Sequence, residues 1–160
     1  MSGKTTVAKK LAQTAKASDR GVLVFDPIRD PTWGADFVTD KMSEFLRIAK
    51  MNKNCTLFID EAATACGNHD RESHWLATQA RHWGHQSVFI SQRPAQVAKN
   101  IRDNCSKLFC FRISPSDAKI YADEWCYQEI LNAPDLPQGE CLYLPRFGQA
   151  TKMTVFENNA

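Results

Sequence analysis

Short apolar runs alternate along this chain with stretches of helical periodicity, and the first three runs each close on polar groups. GVLVF at 21–25 ends in Asp26-Pro27, CTLFI at 55–59 ends in Asp60-Glu61, and SVFI at 87–90 ends in Ser91-Gln92-Arg93-Pro94. KLFCFRI at 107–113 is a fourth run. Helical spacing fills the intervals, over 4–18, about 40–51 (Met42, Phe45, Leu46, Ile48 and Ala49 as its apolar set), about 71–82 and about 95–104. A helix between successive strands predicts right-handed crossovers and an α/β fold: a mostly parallel sheet covered by helices on both faces. After a further helix at about 116–127, CLYLPRF and KMTVF, joined through Gly148, predict a C-terminal β-hairpin. At 160 residues the chain reads as one domain, 1–160, without internal repeats.

Parallel strands that end in polar groups place those groups where α/β folds bind ligands. The chain opens on Met1-Ser2-Gly3-Lys4-Thr5-Thr6, the closing half of a phosphate-binding P-loop. In such a loop Ser2, Gly3 and Thr6 line the phosphates, Lys4 reaches the β- and γ-phosphates as a point charge, and the Thr5 hydroxyl ligates Mg²⁺. The alternative is an ordinary Ser-capped helix with a lysine in its first turn. Asp60, at the end of a buried strand, reads as the second metal-side residue beside Thr5, and Glu61 as the base that orients and deprotonates water. The competing reading is that Asp60-Glu61 caps a following helix. Gln92 at the next strand end suits a bridge between the γ-phosphate and the water. Arg81 and Arg93 are the candidates for an arginine finger, each with the alternative of being a solvated surface charge.

Together, the opening Gly3-Lys4-Thr5-Thr6, the FIDEA segment at 58–62 and the ARHWG…ISQRP segments at 80–84 and 90–94 resemble the FtsK/HerA superfamily of P-loop motor ATPases. Arg81, Gly84, Gln92 and Pro94 match the superfamily's Arg-x-x-Gly, strand, Gln-x-Pro pattern, and the resemblance runs from residue 3 to about 113. Within it the chain is most similar to viral genome-packaging ATPases, with the zonula-occludens-toxin-like phage assembly ATPases next. The resemblance implies a RecA/ASCE-like P-loop fold, ATP and Mg²⁺ as cofactors, and hydrolysis coupled to movement of double- or single-stranded DNA. It also implies a homo-oligomeric ring, viral capsid or membrane assembly proteins as further partners, and a place in the host cytoplasm or the virion. A P-loop kinase acting on a small molecule, and an inactive remnant serving as a binding module, are the two other readings. In the motor fold the strand feeding the P-loop lies within the sheet, so the expectation is a protein extending upstream, with this chain binding nucleotide poorly as it stands.

Composition constrains the partners. A net charge of +2 is too small to mark a DNA-binding surface, so DNA rests on the resemblance. No run approaches the ~18 apolar residues of a membrane span. The six cysteines include three inside apolar runs, which reads as free thiols packed as small hydrophobes in a reducing compartment. Cys66, His69, His74, His82 and His85 raise the question of zinc; with no C-x-x-C pair, the histidines read as surface residues.

Overall fold

The computed structural model describes residues 3–66 and 71–156, which form two compact units. One comprises residues 8–104, the other residues up to 7 together with those from 105 onward.

The first of these is a parallel α/β layer. Its strands β1 (Gly21–Phe25), β2 (Phe37–Thr39), β3 (Cys55–Ile59) and β4 (Gln86–Phe89) form one sheet in the order β2-β1-β3-β4, every pair parallel. All five residues of β3 are buried, as expected of a strand paired on both edges and covered on both faces. Alternate side chains sort to the two faces. Leu23, Phe25, Leu57 and Ile59 pack with Phe45, Leu46 and Ala49 of α2 (Met42–Met51), while Val22, Val24 and Phe58 pack with Trp33 and with Ala8, Ala12 and Ala15 of α1 (Lys4–Ala17). Buried alanines on α1 let the helix lie close to the sheet.

The other unit is antiparallel. β5 (Lys107–Cys110), β6 (Glu140–Pro145) and β7 (Thr151–Thr154) pair in that order. The expected C-terminal hairpin is β6-β7. β5 departs from expectation: it joins the hairpin, antiparallel to β6, instead of extending the parallel sheet. Its composition suits either partner, and pairing is a long-range choice. Helix α6 (Pro115–Trp125) starts on Ser114, whose hydroxyl accepts from the Asp117 N–H at 3.1 Å, with Pro115 in the first turn.

Several expected helices are shorter or broken. The stretch at 71–82 holds only α4 (Trp75–Thr78) and a 3₁₀ turn, Ala80–Trp83, closed by Gly84 in the left-handed region. The stretch at 95–104 holds α5 (Lys99–Asn104), preceded by a 3₁₀ turn at Pro94–Gln96. β2, the one-turn helix α3 (Ala62–Ala65) and the 3₁₀ segment Gln128–Asp135 carry too little periodicity to be read from sequence.

Candidate active site

The parallel order brings the carboxyl ends of β1, β3 and β4 to one edge of the sheet. Asp60 and Glu61 follow β3 directly. The Asp60 N–H donates to Phe25 O at 2.9 Å, and the Glu61 N–H donates to Asp60 Oδ1 at 2.9 Å. Glu61 then adopts φ 49° and ψ 44°, a left-handed conformation uncommon for a residue with a long side chain and costing about 1 kcal/mol or more. The sharp turn breaks the strand direction, starts α3, and lets the Ala62 N–H donate to Ile90 O at 2.8 Å. Glu61 occupies the N-cap position of α3, yet its side chain makes no capping bond. Its Oε1 instead accepts from Gln92 Nε2 at 2.9 Å. The helix-capping reading therefore fails for Glu61, and the parallel register joins two candidates 31 positions apart.

Arg93 follows Gln92 at the same edge; it is exposed, and its N–H donates to Ser91 Oγ at 3.2 Å. Arg81 lies elsewhere. Its 3₁₀ turn precedes β4, and Trp83 O accepts from Asn54 N–H at 2.9 Å, one residue ahead of β3. That puts Arg81 at the amino ends of the strands, whereas Glu61 follows the carboxyl end of β3, a five-residue strand about 16 Å long. It is exposed there.

Of the loop residues, Ser2 lies outside the described residues. Gly3 is buried at φ 96°, where a Cβ would stand 3.0 Å from a Phe111 ring carbon. Glycine alone suits both the backbone and the space. Its carbonyl accepts from the Val7 N–H at 3.0 Å, so Lys4, Thr5 and Thr6 form the first turn of α1, half-buried. No acidic residue occupies that turn. The positive end of the helix macrodipole thus has no carboxylate of its own to offset it, as suits a terminus that receives phosphate.

Among the described residues no group of three His, Cys, Asp or Glu side chains could hold a metal, and His69 lies outside them. His85 corrects the surface expectation. It is 5% exposed, with Nδ1 accepting from the Cys55 N–H at 3.1 Å and Nε2 3.0 Å from Ala49 O, so both ring nitrogens serve the fold. All six cysteines are free, and Cys55, Cys66, Cys110 and Cys141 are buried.

Asp26, which the sequence marks only as the polar close of β1, has a structural task at this edge. Its carboxylate accepts from Ile28 N–H, Asp30 N–H and Trp33 Nε1–H, each at 2.9 Å, and so organises the loop leaving β1 at the same sheet edge as Glu61. An acid closing a buried strand immediately before proline was the available signal.

The sequence model of the family described as Zonular occludens toxin (Zot) matches residues 5–113, the stretch carrying both strand-end acids and Gln92. The chain belongs to the Zot family. A search of curated proteins found no match. Among solved structures, this Zot-family chain is similar in fold to the genome packaging NTPase B204 from Sulfolobus turreted icosahedral virus 2. The complex with AMPPCP gives a TM-score of 0.79 at 15% identity, over 94% of this chain and 91% of that one. The complex with ATP-gammaS gives 0.77 at 14%, over 95% and 91%. B204 described as the DNA-packaging ATPase from Sulfolobus Turreted Icosahedral Virus gives 0.77 at 14%, over 98% and 93%. At such identity the likeness establishes the fold alone, an α/β fold shared with B204. No helix among the described residues is long and apolar enough to cross a membrane.

Proposed function

We propose that this Zot-family chain is the ATP-hydrolysing domain of a DNA-translocating ring, of the phage assembly or genome-packaging kind. The observation that carries the proposal is the Glu61 carboxylate, turned out of the β3 end by a left-handed backbone and bonded to Gln92 from the neighbouring strand. An acid spent on structure would cap its helix or pair with a cation. This one is held half-buried at the ligand-binding edge of a parallel sheet by a neutral amide.

In this reading, water attacks the γ-phosphorus, the bond to the β–γ bridging oxygen breaks, and the water's proton passes to Glu61. Gln92, already aligned on the Glu61 carboxylate, positions the water against the γ-phosphate. Gly3, Lys4, Thr5 and Thr6 receive the phosphates at the α1 N-terminus, Lys4 by charge and the backbone by its N–H groups. Thr5 and Asp60 are the residues that would hold Mg²⁺, which supplies charge neutralisation on the phosphates when bound. One carboxylate with a hydroxyl suits Mg²⁺, which relies on substrate phosphates and water for its other ligands. Arg93, exposed at the Glu61 edge of the sheet, would act within its own subunit. Arg81, at the far end of the strands, reaches a phosphate only on a neighbouring subunit, which favours it as a finger acting in trans.

The test is Glu61→Gln, which keeps size and removes the base. Mg-ATP binding is expected to persist while turnover falls by about two to four orders of magnitude, with duplex DNA stimulating the unmodified protein but not the variant. Turnover near that of the unmodified protein would overturn the assignment.

A further inference from the structure

Phe147 is 97% exposed at the tip of the β6-β7 hairpin, and the turn carrying it is fixed from both sides. On one side Arg146 points inward. Its N–H donates to Ser106 O at 2.9 Å, its Nε to Cys105 O and its Nη1 to Glu124 O at 3.0 Å each, and its guanidinium lies 3.8 Å from the Trp125 ring centre. On the other, the Tyr127 hydroxyl shares its proton between Pro145 O at 2.7 Å and Gly148 O at 3.0 Å, spanning the turn. Single exposed apolar residues are ordinary. A bare aromatic ring on a pre-organised tip loses little freedom on docking, which is how interface anchors are built.

The same unit holds a cleft of about 320 Å³ that its own Phe147 does not fill. Buried Leu136 and Leu142 line it with Pro137, and exposed Glu129, Asn132 and Asp135 border it. A dry apolar cavity of roughly 150 Å³ already holds benzene, so a phenyl ring fits. Lys107, exposed and in register opposite Pro145 at the base of the tip, complements the carboxylates of Glu129 and Asp135. Charge also speaks against nucleic acid as the occupant, because the cleft carries two acids against one base, Lys152.

We propose that Phe147 of one copy seats in the Leu136–Leu142 cleft of a second copy. Tip and cleft are different patches, so the contact is head-to-tail and each copy offers one of each, the geometry that closes rings. The inference rests on the ring of the proposed function and names one contact within it.

Analytical ultracentrifugation of the full chain, with and without nucleotide and duplex DNA, tests it alongside separate turnover measurements. Phe147→Ala empties the tip and Asn132→Trp fills the cleft mouth. Each variant alone is expected to weaken assembly at least tenfold. Their equimolar mixture is expected to form dimers and stop, since one intact tip then meets one intact cleft. Removing a fully exposed ring leaves the urea midpoint of Phe147→Ala unchanged. Should Asn132→Trp fold poorly, Glu129→Lys with Asp135→Lys replaces it, and Lys107→Glu is expected to restore assembly. An assembling parent whose variants assemble equally well overturns the contact and leaves the ring standing. Phe147→Ala that assembles normally but loses DNA stimulation assigns the tip to nucleic acid and overturns it as well. A parent that stays monomeric under every condition overturns the ring itself.

Discussion

Asp26 is 1% exposed, and a carboxylate so buried is tolerable only because three donors converge on it. Asp26→Ala strands those donors, each at roughly 1 kcal/mol or more, so a loss of about 3 kcal/mol is expected in urea unfolding. A change below about 0.5 kcal/mol would mean that water replaces the carboxylate. The cysteines give a second expectation at this scale. Burial pushes the Cys105 thiol up to about 11 and Cys110 up to about 12, from an ordinary value of 9.0. A raised pKa means that the folded state holds the proton more tightly than the unfolded chain. This contribution is complete below pH 9 and is lost as pH rises through about 11 to 12. The urea midpoint is therefore expected to fall above pH 9, less steeply in Cys110→Ala. At pH 8, iodoacetamide is expected to modify exposed Cys126 before any other thiol.

At the scale of elements, the amino ends of three strands are tied by one side chain. Arg20 Nη2 donates to Gly84 O at 2.7 Å and Cys55 O at 3.0 Å, and its Nε donates to Thr56 Oγ1 at 3.2 Å. Gly84 sits at φ 76°, and a Cβ there would fall 2.0 Å from Asn54 Oδ1. Gly84→Ala thus combines left-handed strain with a clash, for an expected loss of about 1–3 kcal/mol read as a lowered melting temperature. Asn54→Gly in the same chain should recover the part due to the clash, since Asn54 itself lies at φ 56°. No recovery would put the whole cost on the backbone. The parallel order of these strands was legible because helix-spaced segments separate them. The pairing of β5 was not. KLFCF satisfies a parallel or an antiparallel neighbour equally, and only the hairpin contributed by residues 140–154 decides between them.

For the whole molecule, the position of Arg81 sets the expectation. β3, about 16 Å long, separates its end of the sheet from the end that Glu61 follows in the same subunit, beyond the reach of an arginine side chain. Mixing Arg81→Ala subunits with Glu61→Gln subunits is therefore expected to recover turnover wherever an intact Arg81 faces an intact Glu61, with the recovery peaking at intermediate ratios. Flat, additive activity at every ratio would place the function of Arg81 inside its own subunit or nowhere.

Local signals were sufficient for the alternating α/β order, the terminal hairpin, and the buried strand that ends in Asp60-Glu61. Each depends on periodicity or on residues adjacent in the chain. The tertiary structure decided the features that need partners distant in sequence. These are the Glu61–Gln92 bond across 31 positions, the burial of His85 between Cys55 and Ala49, the convergence of donors on Asp26, and the separation of Arg81 and Glu61 to opposite ends of one sheet. Their common reason is register. Parallel pairing aligns strand ends that lie tens of residues apart, and the identity of the residues at those ends is readable while their mutual distance is not.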